Sequence, residues 1–354
     1  MKHLISFILF LCSWSTQAQY EFRFFNIQEG LANTDITTII EDQQGFIWIG
    51  TRDGLCRYDG TSVRTFEFVR GGDQLNNGYV HDLYQDAEGR IWIGTFGGGL
   101  QWYLPEKEQF FDIPASKTGE SPLLSDHILQ LFPDSQGLLW VLTLEGINQV
   151  DTKSGQVVGS LMEGIFMRIM EEDRHGDFWF GGDDLYRYRS ATSAIEKMNT
   201  AGMTGIKSND FTALMEDQAG HIWVGTRESG LYQLIPRGDT FETNHYTYDA
   251  DDERSISSNG ILSLFERDGQ LWVGTENGGL CLFNPSDQTF IQIKQDLLGT
   301  GLMGNSVFEI YEDSKKRFGS VCLARESICW IHTESNSVKF LMAWKALIHS
   351  IMGV

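Results

Sequence analysis

Histidines are the side chains in this 354-residue sequence best suited to bind a metal or to transfer protons. Five of the eight lie between residues 19 and 318, namely His81, His127, His175, His221 and His245. None of them has His-Glu-x-x-His spacing, and none has a second metal ligand close by in the chain. The sequence therefore supports neither a zinc site nor any other metal, and it indicates no cofactor.

Two other groups resemble catalytic motifs. The carboxylate pairs Glu41-Asp42 and Glu216-Asp217 could act as acid and base, but they recur with a repeat and are better explained as turn residues. Gly97-Gly98-Gly99 precedes a predicted strand instead of a helix, so we interpret it as a turn and not as a phosphate-binding loop. We expect no catalytic residue in this chain.

Six tryptophans at near-regular spacing indicate the elements that must position any site. Subtraction of their residue numbers gives intervals of 44, 48, 39, 44 and 49. Each lies in a variant of one segment, most clearly EDQQGFIWIGTRDGLCRYDG (41–60) and EDQAGHIWVGTRESGLYQL (216–234). A fixed period of this size predicts an array of similar structural units. The tryptophans are Trp48, Trp92, Trp140, Trp179, Trp223 and Trp272.

The first repeat predicts four short strands, at residues 35–42, 46–51, 55–59 and 63–69, separated by turns that contain glycine. Four such antiparallel strands form one blade of a β-propeller. Residues 21–27 resemble the end of the sixth repeat, so we expect them to form a strand that closes the ring. The predicted fold is all-β, a seven-bladed propeller with six full blades and a seventh begun at residues 307–318.

An Asp-x-x-Gly-x-x-Trp pattern predicts the structure of the first turn of each repeat. The aspartate can accept hydrogen bonds from turn amides, and the tryptophan is large enough to fill the space between adjacent blades. We therefore predict that the six tryptophans are core residues. The aspartates are Asp42, Asp86, Asp134, Asp173 and Asp217, whereas the sixth repeat shortens this turn to Asp268-Gly269.

Residues 1–18 are typical of a secretory signal peptide. Lys2 and His3 form a basic start, Leu4 to Cys12 an apolar run, and Thr16-Gln17-Ala18 a cleavage site. Residues 19–318 would then be the exported propeller. The formal net charge of −21 argues against nucleic acid or an anionic membrane as the main partner, because both bind basic surfaces.

The repeat stops after Phe318, and residues 319–354 show neither the alternation typical of strands nor a match to the repeat. If one thymine is restored after the Phe318 codon, the shifted frame permits Trp-Ile-Gly-Leu-Ser-Gly-Glu-Gly-Ile-Asn-Leu-Leu-Asp-Pro, the missing half of a blade. We hypothesise that residues 319–354 are a frameshifted tail; the alternative is a genuine divergent C-terminus. An incomplete seventh blade would leave residues 21–27 without a partner strand.

The cysteine positions do not predict a disulfide. Cys56 and Cys281 both follow Gly-Leu, in the first and sixth repeats, which are not neighbours in a seven-membered ring. We predict that both are small core residues on strands. Cys12 belongs to the signal peptide, and Cys322 and Cys329 lie in the tail.

The motif ED-x-x-G-x-I-W-I-G-T-x-x-G-L-x-x-Y-D, preceded by FFNIQEGLANTDI and a signal peptide, resembles the two-component regulator propeller repeat over roughly residues 20–318. The resemblance implies the N-terminal periplasmic sensor region of a hybrid histidine kinase anchored in the inner membrane. It implies as partners a second propeller, an immunoglobulin-like module and an oligosaccharide, in systems that often control polysaccharide utilisation. This chain would be a truncated sensor, and no phosphotransfer residue can be assigned in it.

One face of the propeller is the predicted ligand-binding surface, because the second turn of each blade and the link into its first strand emerge there. Mixed amides, acids, arginines and aromatic rings suit hydroxyl-rich ligands. The face collects Arg52, Asp53, Asn77, Tyr79, Phe96, Asp126, His127, Asn209, Asp210, Arg227, Glu228, Asn259, Glu276 and Asn277.

The same residue pattern is compatible with three alternatives to a ligand-binding face. These residues could be ordinary solvated turns, or a contact with another domain or a second copy in a homodimer. The chain could instead be a propeller glycoside hydrolase or lyase, although sialidase-type Asp-boxes separate Asp from Gly by one residue and not by two. A third alternative is a non-catalytic propeller that binds proteins.

Overall fold

A computed structural model describes residues 22–25, 30–69, 73–113, 122–198, 210–238, 240–294, 304–312, 318–322 and 327–331, with Met203, Leu302 and Ser314. The predicted signal peptide and Asn209 lie outside these residues. The described part of the chain forms 28 β-strands, β1 to β28, and no helix is assigned within it. No helix formed by those residues is long and apolar enough to cross a membrane.

Six four-stranded antiparallel blades, each built from four consecutive strands, form a propeller ring and confirm the all-β prediction. The first blade contains β2 (Ile36–Glu41), β3 (Ile47–Thr51), β4 (Gly54–Tyr58) and β5 (Val63–Phe66). The second contains β6 (Val80–Gln85), β7 (Ile91–Thr95), β8 (Gly99–Leu104) and β9 (Gln109–Asp112). The third contains β10 (Ile128–Pro133), β11 (Leu138–Thr143), β12 (Gly146–Asp151) and β13 (Gln156–Leu161).

The other three blades repeat this order. The fourth contains β14 (Met167–Glu172), β15 (Phe178–Gly182), β16 (Leu185–Arg189) and β17 (Ala194–Lys197). The fifth contains β18 (Phe211–Glu216), β19 (Ile222–Thr226), β20 (Leu231–Arg237) and β21 (Thr240–Tyr246). The sixth contains β22 (Ile261–Arg267), β23 (Gln270–Thr275), β24 (Gly279–Asn284) and β25 (Thr289–Ile293).

The last strands form a sheet that corrects the prediction of an incomplete blade. β26 (Val307–Glu312), β27 (Phe318–Cys322) and β28 (Ser327–Ile331) pair in sequence, and β1 (Phe22–Phe25) pairs with β28. We call this sheet, order β1-β28-β27-β26, the closing sheet. Residues 327–331, SICWI, contain β-branched and aromatic residues that favour strands, so the backbone pairs even though the repeat motif is absent. The N-terminal strand therefore has a partner, whereas the hypothesis of a frameshift stays a prediction.

The turn prediction is confirmed in the first blade and extended by one bond. Oδ1 of Asp42 accepts hydrogen bonds of 2.9 Å from the backbone nitrogens of Gln44 and Phe46. Oδ2 of Asp42 accepts a further bond of 2.8 Å from the indole Nε1 of Trp48. Each aspartate therefore fixes both its hairpin and the following tryptophan. The same indole bond joins Asp86 to Trp92, Asp134 to Trp140, Asp173 to Trp179 and Asp217 to Trp223, at 2.7–3.0 Å.

The core lies between the blades, as predicted for the tryptophans. Trp48 has no exposed surface and packs with Leu75, Val80 and Leu83 of the second blade's segment. All six tryptophans are at most 5% exposed. The second and third blades approach each other closely at Gly94. A Cβ added there would lie 2.6 Å from Cγ2 of Ile128. Burial of these faces supplies the main driving force for the ring.

The cysteine prediction is also confirmed for the described thiols. Cys56 and Cys281 are free and buried, on β4 and β24 of different blades. Burial raises the pKa of both thiols, so neither is an activated nucleophile.

Candidate functional site

The innermost strands surround a central channel. Their contacts run in ring order through β2, β6, β10, β14, β18, β22 and β26, and β26 also contacts β2. Between them lies a cavity of about 550 Å³, which we call the channel cavity. It is lined by His81, Phe96, Leu129, Gln130, Leu144, Phe166, Arg168, Ile169, Met170, Glu171, Thr212, Ala213, Leu214, Leu262, Ser263 and Leu264.

A backbone irregularity aims side chains into this cavity. In every innermost strand the pairing register shifts by one residue near the start, for example between Val80 and Asp82 and between Met167 and Ile169. The residues at two of these shifts are His81 and Arg168, which line the cavity. A β-bulge leaves its extra residue unpaired and redirects its side chain. The fold thus uses one repeated bulge to place different side chains around one channel.

Four of the predicted site residues form one cluster with His81, which we call the mouth cluster: Arg52, Tyr79, His81, Phe96 and His127. The Arg52 guanidinium lies 5.5 Å from the centre of the Tyr79 ring. The Tyr79 and Phe96 ring centres are 5.5 Å apart, and Phe96 meets His127 edge-on at 4.6 Å. Three different blades therefore contribute to a continuous aromatic surface, and Phe96 and His81 belong at the same time to the cavity wall.

Turn hydrogen bonds hold the mouth cluster. Oδ1 of Asn77 accepts a bond of 2.8 Å from the Tyr79 nitrogen, and the Phe96 nitrogen donates to the Tyr79 carbonyl at 2.9 Å. Phe96 and His127 form an isolated antiparallel bridge between neighbouring blades. The predicted residue Asn77 therefore shapes the turn, whereas the rings that it positions remain half-buried.

Three titratable side chains of the cavity wall, His81, Arg168 and Glu171, have shifted pKa values. Burial lowers the pKa of the His81 imidazole, and the Arg168 cation acts in the same direction. Burial also lowers the pKa of Arg168, and the charge of Arg227 lowers it further, whereas Tyr79 raises it. Burial raises the pKa of Glu171 to about 8, with the nearby carboxylates of Glu216 and Glu172 adding to the effect. Near neutral pH the His81 imidazole is uncharged, and the Glu171 carboxyl is protonated in most molecules.

Two further carboxyls are buried near the channel, Asp82 on β6 of the second blade and Glu309 on β26 of the closing sheet. Burial raises the pKa of Asp82 to about 6, although the amides of Leu131 and Leu83 donate to its carboxylate at 2.7 and 2.8 Å. Burial and the charge of Asp82 raise the pKa of Glu309 well above its ordinary value. Oε2 of Glu309 has no hydrogen-bond partner among the described residues. These two carboxyls do not form part of the mouth cluster.

The other predicted residues on this face are held mainly by turn contacts. Oδ1 of Asn259 accepts from the Tyr248 nitrogen at 2.8 Å, and the Glu276 nitrogen donates to the Gly260 carbonyl at 2.8 Å. Asn277 adopts a left-handed φ of 58° at its turn. The Asp53 carboxylate accepts a hydrogen bond from Asn33, and the backbone carbonyl of Asp126 accepts one from the Gly97 nitrogen. Asp210 is buried and its carboxylate accepts a hydrogen bond from Ser229. Arg227 and Glu228 are exposed.

Sequence reasoning did not select His81 and Arg168 as ligand-binding residues. Both lie inside innermost strands, where the repeat motif predicts ordinary strand residues. A usable signal exists: the corresponding positions in other blades hold Thr37, Leu129 and Thr212, so the residue type at this position varies while the preceding residue is apolar in every blade. Within the described part of the chain, no group of three or more His, Cys, Asp or Glu side chains is arranged to hold a metal ion.

A model of the two component regulator propeller family matches four segments, at residues 30–53, 74–97, 205–228 and 255–277. Three of these segments end at the turns that carry Arg52 and Asp53, Phe96, and Arg227 and Glu228. No curated protein sequence matches the chain significantly.

Solved structures share the fold at low sequence identity. The extracellular domain of the putative hybrid two-component system BT3049 from B. thetaiotaomicron has a TM-score of 0.72 and 22% identity, over 88% of this chain and 42% of that one. The corresponding domain of BT4673 from the same organism has a TM-score of 0.68 and 22% identity, over 89% and 43%. Virginiamycin B lyase from Staphylococcus aureus has a TM-score of 0.64 and 11% identity, over 89% and 100%.

The chain thus spans about two fifths of the two extracellular domains. Such low identities establish the propeller fold alone, and the family assignment rests on the four matched segments. These four segments identify repeats of this chain as similar to the two-component regulator propeller repeat.

Proposed function

We propose that this chain is the ligand-binding propeller of an extracytoplasmic two-component sensor and that its ligand is a glycan fragment. The observation that carries the proposal is the mouth cluster, in which Tyr79 and Phe96 form an aromatic surface beside the channel cavity. Aromatic faces bind the apolar face of a sugar ring, and neighbouring polar groups bind its hydroxyls. Arg52, His81 and His127 supply such polar groups next to the rings.

The cellular context of the proposal comes from the family. Two of the similar structures are extracellular domains of putative hybrid two-component systems, which supports a periplasmic location for this propeller. In an intact sensor we expect a second propeller, an immunoglobulin-like module and a kinase to act with it, and a homodimer to transmit the signal. The role that we propose for the propeller in such a sensor is to bind the ligand.

Glycan binding can be tested with one ring and a matched control. The purified chain is applied to an array of defined oligosaccharides, and the dissociation constant of each hit is measured by titration calorimetry. Phe96→Ala removes a ring from the mouth cluster, whereas Phe111→Ala removes a half-buried ring on the outer strand β9, stacked on Trp102. We expect Phe96→Ala to weaken binding at least tenfold, about 1.4 kcal/mol, and Phe111→Ala to leave it unchanged.

Two results would contradict the proposal. One is the absence of any glycan hit by a chain that still unfolds cooperatively. The other is equal binding by the Phe96 and Phe111 variants, which would place the ligand elsewhere.

A lyase or hydrolase is the second candidate. The observation that favours it is that the neutral imidazole of His81 and the carboxyl of Glu171 line one cavity, as a base and an acid would. Incubation of each glycan hit with the chain, followed by product analysis, decides between the two. Turnover that is lost in His81→Gln would favour the enzyme, and unchanged glycans would favour the sensor.

We also propose that the closing sheet is the seventh blade of the ring. In several blades the turn after the innermost strand donates its backbone nitrogen to a side chain of the next blade, as Arg174 does to Glu216 at 2.6 Å. Ser314, in the turn after β26, donates in the same way to Glu41 of the first blade at 2.5 Å. This bond joins the two ends of the ring, and the strand order of the closing sheet matches that of a blade.

A further inference from the structure

Two arginines near the channel lack the partners that other arginines have. Nine arginines among the described residues lie within 4 Å of a carboxylate: Arg52, Arg64, Arg90, Arg174, Arg187, Arg189, Arg237, Arg254 and Arg267. A tenth, Arg57, lies over the rings of Phe46 and Trp48. Arg168 and Arg227 have no ion pair and no ring contact within the described part of the chain. In a chain with a net charge of −21, two unpaired arginines on one face are unexpected.

Arg227 lies next to the cavity wall, because its backbone nitrogen donates to the Asp210 carbonyl at 2.8 Å, two residues before the lining residue Thr212. The charge of Arg227 lowers the pKa of Arg168, so the two guanidinium groups share one electrostatic environment. The two like charges repel, and no carboxylate among the described residues lies within 4 Å of either guanidinium group. Glu171, the one carboxyl among the described lining residues, has its pKa raised to about 8 and is mostly neutral at pH 7. The cavity therefore presents net positive charge in an acidic protein.

His81 adds a hydrogen-bond acceptor at the same place. Its Nδ1 is buried and has no partner among the described residues, while the ring hydrogen-bonds the Leu129 backbone. A neutral imidazole that donates through one nitrogen accepts through the other. A sugar hydroxyl that donates to Nδ1 would satisfy this buried atom, which otherwise costs stability.

We propose that the channel cavity binds a short acidic oligosaccharide, one that carries a carboxylate or sulfate group. Arg168 and Arg227 pair with the anionic group, Tyr79 and Phe96 pack against the sugar rings, and His81 accepts a bond from a hydroxyl. The volume of about 550 Å³ lies within the ~300–1,000 Å³ typical of small-molecule sites. Arginine suits this role because its planar donors match carboxylate and sulfate oxygens. This inference rests on the proposed glycan-binding function and specifies the class of glycan.

The test compares acidic and neutral sugars on the full chain. The probes are digalacturonate, its uncharged methyl ester, a chondroitin sulfate disaccharide and inorganic sulfate, each measured by titration calorimetry at 50 and 300 mM NaCl. Arg168→Gln and Arg227→Gln keep polar side chains but remove the charges. Arg237→Gln is the matched control, since Arg237 is exposed on the β20–β21 hairpin and pairs with Glu242.

We expect at least one acidic disaccharide to bind at least tenfold more tightly than the methyl ester and to weaken at high salt. Each of the two arginine variants should weaken that binding at least tenfold, and Arg237→Gln should not. Equal binding of acidic and neutral disaccharides, unaffected by the two variants, would overturn this inference and leave glycan sensing intact. Binding of inorganic sulfate as tight as that of the acidic disaccharide would also overturn it, because the sugar would then contribute nothing. Failure of every oligosaccharide on the array to bind a chain that still unfolds cooperatively would instead refute the proposed function itself.

Discussion

Nε1 of Trp48 donates a hydrogen bond of 2.8 Å to Oδ2 of Asp42, six residues earlier, at a site where neither side chain has more than a trace of exposure. The same carboxylate holds the turn through Gln44 and Phe46. One side chain thus connects hairpin geometry to the packing between blades. This relationship recurs in five blades, which explains why the Asp-x-x-Gly-x-x-Trp spacing is kept so closely.

Removal of this carboxylate should destabilise the ring. We expect Asp42→Ala to lower the free energy of unfolding by about 2 to 4 kcal/mol, because each buried donor left without an acceptor costs about 1–3 kcal/mol. Asp42→Asn keeps one acceptor oxygen and should cost less. Urea unfolding followed by tryptophan fluorescence measures both. Asp268→Asn is the control, since that side chain is 87% exposed; an Asp42→Ala loss no larger than the control's would contradict this role of Asp42.

The close approach of blades predicts a cost for a single added methyl group. Gly94→Ala would place Cβ at 2.6 Å from Ile128, so we expect a loss of about 1–3 kcal/mol from overpacking. Gly78→Ala meets its nearest atoms at 3.5 Å, an ordinary contact, and should change stability by less than about 1 kcal/mol. Thermal unfolding of the two variants side by side decides the matter. Equal melting temperatures would show that the blades can move apart without cost.

The buried carboxyls predict that stability falls as pH rises. The folded-state pKa of Glu171, about 8, and that of Asp82, about 6, both lie above the ordinary values of 4.5 and 3.8. A raised pKa means that the folded state holds the proton more tightly, so this contribution is fully present below the ordinary pKa and is lost as pH rises through the folded one. We expect the free energy of unfolding to decrease between pH 5 and pH 9.

Glu171→Gln isolates this effect because glutamine mimics the protonated carboxyl. At pH 9 the variant should be more stable than the parent by about 1–3 kcal/mol, and at pH 5 the two should be similar. The exposed residue Glu253 gives the control variant Glu253→Gln, which should show no such pH dependence. A Glu171→Gln difference that is constant from pH 5 to pH 9 would argue against a buried, protonated Glu171.

The buried thiols should resist modification in the folded protein. Burial raises the pKa of Cys56 and Cys281, which keeps them as unreactive thiols. Iodoacetamide should label both residues slowly under native conditions and rapidly in about 6 M guanidinium, which unfolds most domains. Peptide mass spectrometry measures the labelling. Rapid native labelling of either cysteine would mean that its blade opens readily.

The closing sheet makes a prediction for residues beyond the repeat. If β28 pairs with β1 and β27, the backbone amides of Ser327–Ile331 should exchange slowly with deuterium, as those of neighbouring strands do. Immediate exchange of these amides would mean that the ring is open at this point. Sequencing of the gene across the Phe318 codon tests the frameshift hypothesis separately, since a missing thymine would restore the Trp-Ile-Gly motif.

The local sequence by itself determined the blades. Glycine-marked turns, alternating strands and the Asp–Trp spacing act over fewer than about ten residues, so they can be recognised without knowledge of the whole fold. Observed strands such as Ile36–Glu41 and Ile47–Thr51 lie within a residue or two of their predicted bounds. The burial of the tryptophans and the free state of Cys56 and Cys281 followed from the same repeat.

The tertiary structure alone decided what the channel contains. His81, Leu129 and Arg168 lie on three different blades, and only closure of the ring brings them to one cavity and lowers the pKa of His81. The pairing of β1 with β28 likewise joins residues about three hundred positions apart, where no repeat motif predicts a strand. Contacts between distant segments depend on how every blade packs, and local propensity carries no information about them.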